Sequence, residues 1–183
     1  MKNAIIIHGT EGFPGENWFP WLKAELEKNG YKVSVPQFPS PPIVPAKITE
    51  WWDVLKNYPI DESTLLIGHS LGGVFTLRIL EKLEKPVAGA FLVGTPIGEK
   101  PILNYDRDVA FCGFEFDWNK IKSNAKRFVV FQSDDDPYVG LSNGEVLSRA
   151  LGVDLDFIPN AGHFNAKAGY LEFPQLLKKI IPQ

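Results

Sequence analysis

The chain alternates between short apolar runs and longer stretches whose apolar positions recur at helical spacing. AIIIHG (4–9) is apolar and ends in glycine, which predicts a buried strand. In 17–30, Trp18, Leu22 and Leu26 recur every four residues and Gly30 follows, predicting a helix with a glycine stop. YKVSVPQ (31–37) alternates and is β-branched, a second strand. ITEWWDVLKNY (48–58) predicts a helix, STLLIGHS (63–70) a third strand, LGGVFTLRILEKL (71–83) a helix and VAGAFLVG (87–94) a fourth strand. RFVVFQS (127–133) and LDFIPN (155–160) predict strands five and six. A helix over 143–152 lies between them and another follows over 169–181. Pro174 belongs either to the first turn of that last helix or to a break before it.

Two stretches interrupt the alternation. FPSPPIVP (38–45) holds four prolines in eight residues, which excludes helix and central strand and predicts a surface loop. Residues 95–125 have no sustained period; within them a short helix is expected around 118–124. Apolar strands alternating with amphipathic helices predict an α/β fold, a mostly parallel six-stranded sheet covered on both faces, in one domain over 1–183. Crossovers in such sheets are right-handed, and ligands bind beyond the carboxyl ends of the strands.

Chemistry-bearing residues fall at those strand ends. GHSLGG (68–73) contains Gly-x-Ser-x-Gly, a pattern expected by chance in roughly one chain in twenty of this length. Here it sits where a predicted strand meets a predicted helix, the elbow that the motif requires. A serine lifted on that turn needs small neighbours, supplied by Gly68 and Gly72. The helix start behind it offers unpaired N–H groups, that of Leu71 among them, to a developing oxyanion. Ser70 is therefore the candidate nucleophile, against the plainer role of a helix cap. His69 is next to it in sequence, but an elbow points neighbouring side chains apart, so His69 is expected to be structural.

A serine hydroxyl needs a positioned base. His163, in NAGHFN after the last predicted strand, is the candidate. An imidazole in turn needs a carboxylate to fix its tautomer. SDDDPYV (133–139) offers three; Asp136 is favoured because Pro137 pushes it toward extended backbone, with Asp135 the alternative. The order Ser70, Asp136, His163 is that of α/β-hydrolases. HGTEG (8–12) follows the first strand, where such enzymes place a second oxyanion donor: the N–H of Thr10, or else of Glu11. Gly9 allows the close approach, and His8 is expected to hold the loop. Trp18, Phe114, Trp118, Tyr138 and Phe164 flank strand-end loops and are candidate walls of an apolar substrate pocket.

Composition narrows the classes. The 183 residues carry a net charge of −3, with no basic excess for a nucleic-acid backbone. The single cysteine, Cys112, cannot form an internal disulfide, and one cysteine with three scattered histidines makes no zinc site. No metal and no cofactor are expected. The apolar run before His8 is only four residues long (4–7), too short for a signal-peptide core, and no apolar run reaches a membrane span. A cytoplasmic protein with no membrane partner is expected.

HGTEGFPGENWFPWL, GHSLGG, FDWNKIK, SDDDPYV and AGHF together resemble the small serine hydrolases typified by retinoblastoma-binding protein nine and its bacterial relatives. The resemblance runs over nearly the whole chain. It implies a compact α/β-hydrolase with strand order 2-1-3-4-5-6 and no lid domain. It implies a triad at Ser70, Asp136 and His163, with the acid being the aspartate before the proline. The mammalian member's Leu-x-Cys-x-Glu motif is missing, since Ala110 and Phe114 stand where Leu and Glu would be needed around Cys112, so that binding function is not expected. The expected activity is acyl transfer to water, carboxylesterase-like, on a small uncharged ester. The alternatives are an amidase or aminopeptidase, a thioesterase, or a non-catalytic binding protein that keeps the fold.

Overall fold

A computed structural model describes residues 2–40, 46–103 and 105–181. Six strands, β1 (Lys2–Ile7), β2 (Tyr31–Ser34), β3 (Thr64–His69), β4 (Gly89–Val93), β5 (Phe128–Gln132) and β6 (Leu155–Phe157), form one sheet in the order β2-β1-β3-β4-β5-β6. Every neighbouring pair is parallel, so the sheet is wholly rather than mostly parallel. The helices are α1 (Phe19–Lys28), α2 (Ile48–Leu55), α3 (Leu71–Lys82), α4 (Tyr105–Cys112), α5 (Trp118–Ser123), α6 (Leu141–Leu151) and α7 (Pro174–Ile180). Among the described residues no helix is long and apolar enough to cross a membrane.

The two faces of the sheet are sorted by strand parity, as the period of two requires. Ile5, Ile7, Leu66, Ala90, Leu92 and Val130 face one core, closed by residues of α2, α3, α5 and α6. Ala4, Ile6, Leu65, Ile67, Phe91, Val93, Val129 and Phe131 face the other, closed by α1 and α7. Both faces being covered explains why these strands are apolar throughout rather than alternating.

Three differences from the sequence expectation have physical causes. Helix α7 starts at Pro174 rather than 169, because a ring-fixed φ and a missing N–H suit the first helical position. Residues 41–45 of the proline-rich stretch lie outside the described residues. Its start is not surface loop: Phe38 is fully buried and stacks on Trp51 at 4.6 Å, while the Trp51 indole donates to the Pro39 carbonyl at 2.7 Å. Helix α4 was not expected, and its order comes from outside it. Arg78 of α3 donates to the Phe111, Phe114 and Glu115 carbonyls at 2.9, 2.8 and 3.1 Å. The guanidinium is itself paired with Glu81 at 2.9 Å and lies 4.0 Å from the Phe116 ring centre. A nearly buried arginine needs these partners, and meeting its need holds the chain just after α4 in place.

Candidate active site

Ser70 is the one residue between β3 and α3. Its φ of 54° and ψ of −124° are a sparsely populated conformation for a residue with a side chain, a cost of about 1–3 kcal/mol that the surroundings must hold. The Ser70 N–H donates to the Val93 carbonyl at 2.8 Å, pinning the turn to β4. The flanking glycines serve close approach. A Cβ at Gly68 would lie 2.5 Å from the Gly72 carbonyl oxygen, and one at Gly72 would collide with the Ile7 carbonyl oxygen. The helix therefore begins directly against the ends of β3 and β1. Leu71 is its first residue, and first-turn N–H groups have no partner four residues back.

His163 stands on the loop after β6, and its Nδ1 lies 2.7 Å from Asp136 Oδ2. With the proton on Nδ1 and donated to the carboxylate, Nε2 keeps the lone pair that a base needs. The carboxylate is held by its own turn: Oδ1 accepts from the N–H groups of Tyr138 and Val139 at 2.9 and 3.0 Å. The other two acids of the run have different work. Asp135 accepts from the Ser133 hydroxyl at 2.6 Å and the Gly162 N–H at 2.7 Å, and Asp134 accepts from the Asn160 N–H at 2.9 Å. Both tie the histidine loop to the acid loop. Of the three, Asp136 meets the imidazole.

The loop after β1 closes on Ser70. A Cβ at Gly9 would lie 2.8 Å from Ser70 Cβ, so only glycine lets Thr10 approach. The Thr10 hydroxyl donates to Asp108 of α4 at 2.9 Å, fixing the residue whose N–H is the candidate oxyanion donor. The alternative donor is engaged elsewhere, since the Glu11 N–H donates to the Ser40 hydroxyl. His8 holds the loop: its Nδ1 donates to the Gly9 carbonyl at 2.8 Å and its Nε2 accepts from the Phe38 N–H at 2.9 Å. Ser70, Gly9, Thr10 and His163 line one cleft of about 300 Å³.

His69 is structural in its contacts. It donates from Nε2 to the His163 carbonyl at 2.8 Å and packs against Trp18 and Phe19 with ring centres 6.0 and 5.9 Å away. Burial, reinforced by the charge of His163, pushes its pKa down to about 3. Burial also lowers that of His8. An unfolded chain protonates both near pH ~6.5, so it binds more protons than the folded chain below that value, and stability falls with falling pH. The urea midpoint is expected to drop between about pH 6.5 and 5, above the range where carboxylates titrate. The slope is expected to shrink in His69→Gln; a flat midpoint across this window would contradict the neutral, buried assignment.

The five aromatic residues expected around the substrate separate. Tyr138 lines the cleft, its ring 5.0 Å from that of His163. Trp18 and Phe164 are instead fully buried in the core beneath it, because their rings pack with Phe19, Phe173 and Phe131. The Trp18 indole donates to the Phe164 carbonyl at 2.9 Å, bracing the histidine loop from below. Phe114 and Trp118 line a different groove, with Tyr105 and Phe116. Pro96, Ile102, Leu103 and Asp108 also line the cleft, as do Glu16, Asn17, Asn165 and Lys167, and none of these was expected there. The first four come from the stretch without a period, where the apolar run within PILNY was the local signal for Ile102 and Leu103. Among the described residues no three His, Cys, Asp or Glu side chains cluster as a metal site.

Comparison with known proteins shows the family and the fold. YdeN of Bacillus subtilis (strain 168) is 32% identical over 177 residues, covering 94% of this chain and 91% of its own. The crystal structure of the ydeN gene product superposes with a TM-score of 0.90 at 30% identity, over 98% of this chain and 97% of that one. The serine hydrolase RBBP9 of Rattus norvegicus is 25% identical over 181 residues, covering 97% of this chain and 92% of its own. Est1E of Butyrivibrio proteoclasticus, solved with ferulic acid bound, shares the fold at a TM-score of 0.68 and 13% identity, over 98% of this chain and 90% of that one. The family model for serine hydrolases matches residues 4–181, and with a relative above 30% identity along nearly the full length the chain belongs to the serine hydrolase family.

Proposed function

We propose that this serine hydrolase cleaves small uncharged carboxylic esters through an acyl-enzyme on Ser70. The observation that carries the proposal is the 2.7 Å hydrogen bond from His163 to Asp136 at the cleft that also holds the strained Ser70. Ser70 Oγ attacks the ester carbonyl while His163 Nε2 takes its proton. The N–H groups of Thr10 and Leu71 receive the oxyanion. Collapse breaks the bond to the leaving oxygen, which His163 protonates, and the alcohol departs. Water, deprotonated by the same nitrogen, then attacks the acyl carbonyl and returns Ser70. Asp136 keeps the proton on Nδ1 and stabilises the imidazolium formed in each half.

The charge of the cleft disfavours anionic substrates. Glu11, Glu16 and Asp108 line it against one Lys167. Burial pushes the Glu16 carboxyl up from its ordinary pKa. A substrate bearing a carboxylate would meet like charge there. A reducing, cytoplasmic setting suits the single buried thiol of Cys112.

Intact mass after treatment with a fluorophosphonate tests the assignment. One adduct is expected on the native chain and none on Ser70→Ala. An unlabelled native chain would overturn it and favour a binding protein that keeps the hydrolase fold. A labelled chain that cleaves thioesters or amides but not esters would retain Ser70 and overturn the ester assignment.

A further inference from the structure

We infer that an apolar lobe walled by Ile102, Leu103 and Tyr138 receives the leaving alcohol, which makes esters of apolar alcohols the preferred substrates. The inference rests on the ester-hydrolase proposal and names which side of the ester the protein reads. Ile102, Leu103 and Tyr138 line the catalytic cleft and also an adjoining cavity of about 220 Å³, whose remaining walls include Pro101 and Pro137. The two spaces thus share these three residues as walls. Leu103 is 54% exposed, a large apolar side chain left open at this junction. A single exposed leucine is ordinary, but here it continues a surface of Ile, Pro and Tyr leading from the candidate nucleophile.

The lobe is preformed. Ile102 bridges Val139 in antiparallel register, the Leu103 N–H donates to the Tyr138 carbonyl at 2.7 Å, and the Gly140 N–H donates to the Pro101 carbonyl at 3.0 Å. Asn143 of α6 anchors the same segment, accepting from the Ile97 N–H at 2.9 Å and donating to the Glu99 carbonyl at 2.6 Å. An ordered wall loses little freedom when a ligand packs on it.

Its position selects the alcohol rather than the acyl group. The leaving oxygen must sit at His163, which protonates it. Tyr138, one of the three walls shared by both spaces, packs edge-on against the His163 ring at 5.0 Å. A chain attached to the leaving oxygen therefore starts beside this wall. Apart from Pro96 and Val139, the rest of the rim is mostly polar, with Glu11, Glu16, Asn17 and Lys167.

Two ester series measured by pH-stat separate the possibilities. The first runs from methyl to butyl acetate, the second from methyl acetate to methyl pentanoate. Full burial of three methylenes would raise kcat/KM by about fiftyfold, and a half-open lobe is expected to reach about tenfold for butyl over methyl acetate. In Leu103→Ser that ratio is expected to fall to about twofold, with the acyl-length profile keeping its shape, and Leu103→Met is expected to restore it. A butyl-to-methyl ratio untouched by Leu103→Ser, or a change in the acyl series instead, would overturn the assignment while leaving the esterase proposal standing. Absence of turnover on every ester would bring down both.

Discussion

Asp136→Asn is expected to lower kcat by about ten-thousand-fold with little change in the fold. The amide oxygen can still accept from the Tyr138 and Val139 N–H groups, as Oδ1 does now, so the turn survives. That choice directs the amide NH2 at His163 Nδ1, where Oδ2 now accepts at 2.7 Å. Nδ1 must then become the acceptor and the proton moves to Nε2, the nitrogen that should carry the lone pair. The imidazole is left in place in the wrong tautomer, and the stabilisation of the imidazolium is lost as well. Steady-state kinetics on an activated ester, with circular dichroism for the fold, measures this. Asp135→Asn is the contrasting variant. Its carboxylate faces Ser133 and Gly162, so the expected effect is a lower unfolding temperature with most of the activity kept. If the kinetic losses came out the other way round, Asp135 would be the acid.

Gly72→Ala is expected to destabilise the protein by about 3 kcal/mol, the upper end of what overpacking costs. The new methyl would be driven into the Ile7 carbonyl oxygen and would lie 2.5 Å from that of His8. Both are backbone atoms, and β1 is hydrogen-bonded to β2 on one side and β3 on the other, so neither can rotate away. Relief requires α3 to move off the sheet, which opens the elbow and separates Ser70 from the Gly9–Thr10 loop. For a chain of this size the loss corresponds to roughly 6–12 °C in Tm. Thermal unfolding followed by circular dichroism would show it. An unchanged Tm would mean that α3 does not lie on the end of β1.

The strand and helix pattern was legible because each strand is an apolar run and each major helix an amphipathic one, and these are local properties. Strand order followed from the resemblance carried by the strand-end motifs. The candidate nucleophile and base were legible for the same reason: Gly-x-Ser-x-Gly at a strand–helix junction, and a histidine in a glycine-containing loop after the last strand, are short-range signatures. The choice between Asp135 and Asp136 was not settled by proximity in sequence, since they are adjacent residues of one turn; which carboxylate meets the imidazole depends on the direction of each side chain once β5 and β6 are paired. The aromatic residues show the limit most clearly. Trp18 and Tyr138 look equally suited to a pocket in the sequence, yet one is core and the other cleft, because burial is a property of what packs around a residue and not of its neighbours along the chain. Helix α4 and the wall at Ile102 and Leu103 lie further still from local determination. They are held by Arg78, Val139 and Asn143, partners 33 to 44 residues away, and such contacts exist only after the sheet has brought those segments together.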